Sequence, residues 1–298
     1  MMKSKILSEL GFSDEARVLL LNHDDLGMNY GSNIAFQELL NEGTVKSGSV
    51  MVPCPWFPHF IELYIKNRNF SVGVHLTLTS EWGNYRWKPL STVDVSSGLI
   101  DSDGYFWKNR QLLRQHLNKQ AAEVEFRAQI DRALDSGIDV THLDCHMGVG
   151  LVPELIDIYL KLGNEYKVPV LLPKSIIAVK KLYKIDDVND DFYTDLVAEL
   201  EVTRYPLVDN FTITPCFPAK EAEKGYENLL LNIPHGVTFF SLHPNTSDSI
   251  KLIDPVMYHA RIDEYRLFSK IFNENWLSMH GIKVISFKEI RNMLRKKQ

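Results

Sequence analysis

Short runs of leucine and β-branched residues alternate with amphipathic stretches along most of the chain. This order predicts parallel strands joined by helical crossovers, which is an α/β fold. The apolar runs predict eight strands, near residues 16–22, 47–52, 71–78, 139–143, 168–172, 211–214, 237–242 and 283–285. The amphipathic stretches predict helices near residues 31–41, 57–66, 123–135, 153–165, 222–231, 256–279 and 287–296. Eight strands with such crossovers suggest one (β/α) barrel-like domain over residues 1–298.

Two stretches, about residues 80–120 and 174–210, are too long to be simple crossovers. We interpret both as insertions at the active-site end of the barrel. The first has a high density of aromatic residues, namely Trp82, Tyr85, Trp87, Tyr105, Phe106 and Trp107. Such a cluster could form a lid over a binding site or a separate apolar cluster, and the sequence favours neither.

Composition narrows the class of protein. The chain has 298 residues, of which 45% are hydrophobic and 24% charged, so we expect it to be folded nearly throughout. A net charge of −5 gives no basic field for nucleic acid, and the first twenty residues lack the apolar core of a signal or membrane span. Three cysteines without paired spacing fit a reducing compartment. We therefore expect a cytoplasmic protein with no nucleic-acid or membrane partner, and the sequence is compatible with a homo-oligomer.

Polar residues stand where two predicted strands end. Asp24 and Asp25 directly follow the apolar run 18–21. One acid there could simply cap the next helix, but two adjacent acids beside a buried strand are costly unless they have partners. In the third predicted strand, alternation places His75 on the face opposite the apolar residues, directed at the barrel axis. The alternative for His75 is a core histidine bonded to a hydroxyl.

The fourth and seventh predicted strands also end in histidines. His142, Asp144 and His146 share one face by alternation, so we expect Asp144 to orient a histidine ligand and His142 to help orient one or to be structural. His243 ends the seventh strand. Because the carboxyl ends of barrel strands meet at one rim, these residues should converge there with the two acids. An Asp-His-His set leaves coordination positions open for water and substrate, as a hydrolytic metal site needs.

The residues singled out above belong to longer motifs, at positions 23–27, 42–51, 73–79, 142–146 and 243–244, with a further C-terminal stretch from 261 to 285. Together these motifs resemble the YdjC-like carbohydrate deacetylases, the family of chitooligosaccharide deacetylase. The resemblance covers nearly the whole chain. It implies a (β/α) barrel-like fold of the polysaccharide deacetylase type.

The resemblance also implies roles for individual residues. Asp25, His75 and His146 would bind one divalent metal ion, and Asp24 would be the general base, although the reverse assignment of the two acids stays open. His243 would either protonate the leaving amine or orient a neighbouring group. We expect further substrate contacts from Trp82 and Trp107 of the aromatic insertion and from Arg261 of the C-terminal motif. Zinc suits such ligands best, with magnesium, cobalt, nickel, manganese and iron as alternatives.

The implied activity is metal-dependent hydrolysis that removes an acetyl group from an N-acetylated amino sugar or oligosaccharide. One departure concerns the substrate: many relatives continue the fourth motif with a further histidine, where this chain has Met147 and Gly148. The identity of the sugar therefore stays open. The alternatives are a catalytically silent sugar-binding barrel and a metal-dependent hydrolase of another ester or amide, such as a phosphoesterase, or a glycosidase.

Overall fold

The computed structural model describes residues 4–183 and 185–296. Within them, seven strands form one sheet: β1 (Arg17–Leu26), β2 (Ser47–Val50), β3 (Ser71–Leu76), β4 (Val140–Cys145), β5 (Asn210–Ile213), β6 (Gly236–Leu242) and β7 (Ile282–Val284). The α-helices are α1 (Lys5–Glu9), α2 (Tyr30–Asn41), α3 (Phe57–Lys66), α4 (Arg110–His116), α5 (Lys119–Asp135), α6 (Ile156–Glu165), α7 (Ile176–Tyr183), α8 (Asp190–Val202), α9 (Ala222–Leu231), α10 (Ile250–Ile253), α11 (Tyr258–Lys270), α12 (Glu274–Met279) and α13 (Phe287–Arg295). Short 3₁₀ helices span Val95–Ser97 and His146–Leu151.

The sheet is parallel, with the strand order β4-β3-β2-β1-β6-β5, so the predicted α/β class is confirmed. The central strand β1 has three partners. It pairs with β6 along one edge, and with both β7 and β2 along the other. β7 pairs with residues 17–19 of β1, whereas β2 pairs with residues 22–26. Because the strands are parallel, their carboxyl ends lie at one end of the sheet, where the candidate site is found.

The strand predicted at 168–172 is wrong as a continuous strand. Single parallel bridges join Val170 to Leu143 of β4 and Pro173 to Val208, just before β5. Pro169 and Pro173 lack an amide N–H, which prevents an unbroken ladder through this segment. The segment nevertheless links the two edges of the sheet, because Leu171 N donates to Leu143 O at 2.9 Å and Val208 N donates to Leu172 O at 3.0 Å.

One other expectation needs correction. The helix predicted at 256–279 is two helices, α11 and α12, because the side chain of Asn273 caps a new start by accepting from Trp276 N at 3.0 Å. The two segments interpreted as insertions contain helices of their own: α4 and the start of α5 lie in the first, and α7 and α8 in the second. Across the described ranges, no helix has the length and apolar character needed to span a bilayer.

The inward face of the sheet changes character from one end of the strands to the other. At the amino ends it is apolar, with Val18 and Leu20 of β1 packed in one cluster with Phe239 of β6 and Phe287 of α13. Further along the same face of β1 come Asn22 and Asp24, both buried. A larger apolar cluster packs the helices around the sheet. The fold thus closes one end with hydrophobic packing and presents buried polar groups at the other.

Candidate metal centre

Three side chains from separate strand ends meet at the carboxyl end of the sheet. Asp25, His75 and His146 are buried, and one potential ligand atom from each lies within 4.8 Å of the other two. Asp25 Oδ1 is 3.6 Å from His75 Nε2 and 3.3 Å from His146 Nδ1. A tetrahedral ion with bonds of about 2.1 Å holds its ligand atoms about 3.4 Å apart. The spacing therefore fits a small metal ion.

Asp25 Oδ1 also has the character expected of a ligand. It is buried, and its contacts with the two ring nitrogens do not have hydrogen-bond geometry, so it has no hydrogen-bond partner within the described residues. Burial would raise the pKa of Asp25, but the attraction of His146 and Arg261 outweighs it and lowers the pKa well below its ordinary value. A buried, ionised and unpartnered oxygen is costly unless a cation compensates it. The donor set fits a divalent ion.

The backbone explains how two consecutive acids reach one site. Neighbouring residues of a regular strand point to opposite faces. Asp25 instead has φ 61°, in the left-handed region that Asp tolerates better than most residues. The register of β1 against β2 shifts between His23 and Leu26, around this residue. The irregularity lets Asp24 keep the inward position of the strand while Asp25 turns toward His75 and His146.

Each candidate histidine ligand has a carboxylate on its other ring nitrogen. His75 Nδ1 is 2.9 Å from Asp144 Oδ1, where strand alternation places Asp144. His146 Nε2 is 2.8 Å from Glu81 Oε2. Metal-binding histidines commonly donate their second N–H to a carboxylate, which fixes the ring and its tautomer. We assigned no role to Glu81 from the sequence, because its position relative to His146 depends on the path of the first insertion.

Asp24 lies in a buried hydrogen-bond network beside the three ligands. Its Oδ1 accepts from Asn22 Nδ2 at 2.6 Å and its Oδ2 accepts from Ser241 Oγ at 2.6 Å. Burial and the negative charge of Asp144 raise the pKa of Asp24, whereas that of Asp144 is lowered because His75 compensates its burial. Alternation along β1 and β6 could have indicated Asn22 and Ser241, which point inward from positions near the strand ends.

His243 and His142 have different surroundings. His243 Nδ1 is 2.7 Å from Thr214 Oγ1, and burial lowers the pKa of His243 to about 3, so the ring is neutral at pH 7. His243 directly follows β6, whose Ser241 donates to Asp24, so His243 lies at the same end of the sheet as the candidate site. His142 lies deeper, stacked on Phe287 with ring centroids 3.6 Å apart. Its Nδ1 is 3.0 Å from Thr141 Oγ1, and its Nε2 is 4.0 Å from Asp144 Oδ2, beyond hydrogen-bond distance.

Arg261 is bonded to two carboxylates. Its Nη1 donates to Asp25 Oδ2 at 3.0 Å and its Nε donates to Asp254 Oδ2 at 3.2 Å. The structure thus ties Arg261 to Asp25, and the expected contact between Arg261 and substrate stays a prediction.

Comparison with known proteins shows a family match that spans the candidate site. The model of the YdjC-like protein family matches residues 18–277, a range that includes every residue described above as part of the site. The chain belongs to the YdjC-like family.

Two relatives of this YdjC-like chain are named carbohydrate deacetylase. The one from Thermus thermophilus is 33% identical over 241 residues, covering 80% of this chain and 81% of the relative. The one from Brevibacillus brevis is 36% identical over 155 residues, covering 52% of this chain and 59% of the relative.

A solved structure shares the fold. A protein from Enterococcus faecalis V583, provisionally named a cellobiose-phosphate cleavage protein, superposes with a TM-score of 0.70 over 92% of this chain and 99% of its own. The two sequences are 21% identical, so the match supports the barrel-like α/β architecture alone.

The aromatic residues of the first insertion in this YdjC-like chain differ in their surroundings. Trp82 is partly buried, with its ring 5.7 Å from that of Trp87. Trp107 stacks on His116 at 4.1 Å, and its Nε1 donates to Gly98 O. Trp87, a member of the same aromatic cluster, has a buried ring that lies 5.9 Å from the ring of His146. Substrate contacts by Trp82 and Trp107 stay predictions.

Proposed function

We propose that this protein is a metal-dependent hydrolase that removes the acetyl group from an N-acetylated amino sugar or oligosaccharide. Membership of the YdjC-like family and two relatives named carbohydrate deacetylase support the class of reaction. The observation that carries the metal requirement is the convergence of Asp25 Oδ1, His75 Nε2 and His146 Nδ1, with Asp25 Oδ1 otherwise unpartnered within the described residues.

Asp25, His75 and His146 would hold one divalent ion. Two imidazoles and a carboxylate suit zinc, and cobalt, nickel, manganese, iron or magnesium are alternatives. When bound, the ion supplies a Lewis acid for the acetyl carbonyl and lowers the pKa of a water molecule. The protein's own contribution is to hold the ligand atoms in place. Asp144 and Glu81 do so for the two histidines, and Arg261 does so for Asp25.

Asp24 is the residue best placed to take a proton from the attacking water. Asn22 and Ser241 hold one oxygen each, which orients the carboxylate, and each oxygen keeps capacity for a further hydrogen bond. The raised pKa of Asp24 brings it closer to neutral pH, where a general base is most effective. We therefore assign Asp24 as the base and Asp25 as the metal ligand.

His243 would return a proton to the departing amine. The contact between Thr214 and Nδ1 leaves Nε2 as the ring nitrogen that can face substrate. Because the partly buried ring is neutral at pH 7, the proton that it passes to the amine must first reach it from the attacking water, whose proton Asp24 accepts. Amines need this proton because an amide anion is a very poor leaving group.

Acetate release from a panel of N-acetylated amino sugars and their oligomers tests the proposal. The protein should release acetate from at least one of them, lose this activity after chelator treatment, and regain it with one equivalent of zinc or another divalent ion. A His75→Ala variant that folds normally should release none. Saccharide binding without acetate release by the metal-loaded protein would contradict the proposal and support a silent sugar-binding barrel.

A further inference from the structure

Glu81 lies at the beginning of the first insertion and contacts the candidate metal centre. Its Oε2 is 2.8 Å from His146 Nε2. The side chain of Glu81 is 19% exposed and that of His146 is 5% exposed. Its Oε1 is buried and has no hydrogen-bond partner within the described residues. Burying an unpaired charge is costly, so the contact with His146 should contribute strongly to stabilising the mostly buried Glu81 carboxylate.

The contact determines which nitrogen of His146 can bind metal. A metal-bound imidazole is neutral and carries one proton, so a ring that donates from Nε2 to Glu81 keeps Nδ1 as the lone-pair donor to the metal. Nδ1 is the nitrogen that faces Asp25 Oδ1, at 3.3 Å. His75 shows the reverse arrangement, with Nδ1 toward Asp144 and Nε2 toward Asp25. Each ring thus presents one nitrogen to a carboxylate and the other to the centre.

The main chain around Glu81 is fixed by the insertion. Ser80 N donates to Trp107 O at 2.9 Å, and Ser80 Oγ accepts from Trp87 N at 3.1 Å. Trp87 Nε1 donates to Thr79 O at 2.8 Å, and the same indole packs edge-on near the ring of His146. The insertion therefore supplies both the carboxylate that contacts His146 and the aromatic wall beside it.

We propose that Glu81 is a positioning residue that fixes the orientation and tautomer of His146, so that the first insertion contributes directly to metal affinity. This inference rests on the metal site of the proposed function. It predicts that removing the Glu81 carboxylate weakens metal binding even though every proposed ligand is still present.

Zinc affinity of the 298-residue chain, measured by competition with a chromophoric chelator, tests this inference. Glu81→Ala should bind zinc about 10- to 100-fold more weakly than wild type, which is the usual effect of removing a carboxylate that orients a histidine ligand. Glu81→Gln can still accept the Nε2–H bond and should recover part of the affinity. The matched control is Asp103→Asn, which changes an exposed carboxylate of the same insertion and should leave the affinity unchanged.

The His146 tautomer provides a readout that a purely structural role would not change. Long-range ¹H–¹⁵N spectra of the zinc-loaded protein should show the His146 proton on Nε2 in wild type and in Glu81→Gln, and rapid exchange or loss of that proton in Glu81→Ala. A wild-type proton on Nδ1, or equal zinc affinities for wild type and Glu81→Ala, would overturn the inference. Failure of wild type to bind any divalent ion would instead contradict the proposed function.

Discussion

Arg261 Nη1 donates to Asp25 Oδ2 at 3.0 Å, and this bond leaves Asp25 Oδ1 directed at the two histidines. Arg261 is itself held by Asp254 through Nε. The pair is buried, with Asp25 2% and Arg261 10% exposed at the side chain. One arginine therefore pairs with two buried acids, and in the metal-free protein a protonated His146, whose pKa is raised to about 10, adds a second positive charge beside Asp25.

Replacing Arg261 by alanine should destabilise the metal-free protein by about 3–5 kcal/mol, because Asp25 and Asp254 would stay buried without their partner. Urea denaturation measures the change. Arg266→Ala is the matched control on the same helix: its partner is Asp263, its side chain is 45% exposed, and its loss should cost no more than about 1 kcal/mol. Similar losses of unfolding free energy in the two variants would show that the buried Arg261–Asp25 pair stabilises the protein no more than an exposed pair does.

The two adjacent acids should respond differently to the same substitution. Asp24→Asn should keep the fold and the metal while lowering the rate of acetate release about 100-fold or more, because an amide cannot accept the proton of water. Asp25→Asn should lose metal. Metal content and kcat, measured on the same preparations, separate the two effects. Loss of metal from Asp24→Asn with retention in Asp25→Asn would reverse the assignment.

Metal affinity should rise with pH. Burial lowers the pKa of His146, but the negative charges of Glu81 and Asp25 outweigh it and raise the pKa to about 10, and Asp144 raises the pKa of His75 in the same way. Below these pKa values the metal must displace a proton from each ring, so acid opposes binding. Zinc competition assays between pH 6 and 8 should show at least about a tenfold gain in affinity per pH unit. A flat profile would contradict the assignment of these rings as ligands.

Local periodicity in the sequence was sufficient to predict the position of a residue where that position depends only on its own strand. Alternation along β3 and β4 placed His75 and Asp144 on the inward face, and the structure brings them within 2.9 Å of one another. Periodicity was insufficient to predict a contact that depends on the path of a distant segment. Glu81 contacts His146 across 65 residues of sequence, and the route of the intervening insertion leaves no periodic signal in the sequence.

The predicted fifth strand shows a second limit of periodicity. The segment 168–172 has the apolar character of a buried strand, and that character reflects true burial of Val168, Val170 and Leu172. The prolines on either side of Val170 restrict its hydrogen bonds to isolated bridges. Burial could be predicted from the sequence, whereas continuous pairing also required every amide to be available.

Gly73 is required by the packing beneath the candidate metal centre. A Cβ atom at this position would lie 2.4 Å from Cε1 of His142, a ring that is already held between Phe287 and the sheet. Gly73→Ala should therefore lower the free energy of unfolding by about 1–3 kcal/mol through overpacking. Thermal and urea denaturation measure it. Gly83→Ala is the control, because a Cβ there meets nothing within 4 Å, and a comparable loss in that variant would refute the packing argument.

His243 should be needed in proportion to how poor the leaving group is. Its ring is neutral at pH 7, with Nδ1 engaged by Thr214, so its proposed task is to pass on a proton that it gains during the reaction. A sugar amine needs that proton, whereas the phenolate released from an activated aryl acetate hardly does. His243→Ala should thus lower turnover of an N-acetyl sugar about 100-fold or more while largely sparing an aryl ester that the enzyme accepts.

The alternative role for His243 is to hold a neighbouring group in place, and the two substrates separate these roles. A positioning residue affects both reactions, because both need the same activated water and the same stabilisation of the carbonyl oxygen. Equal losses on the amide and the ester, with metal content unchanged, would therefore assign His243 to positioning. Thr214→Val keeps the imidazole but removes its hydroxyl partner at Nδ1. If His243 is the acid, this variant should show a smaller loss that is again confined to the amide, since the ring is still present but its orientation is less restricted.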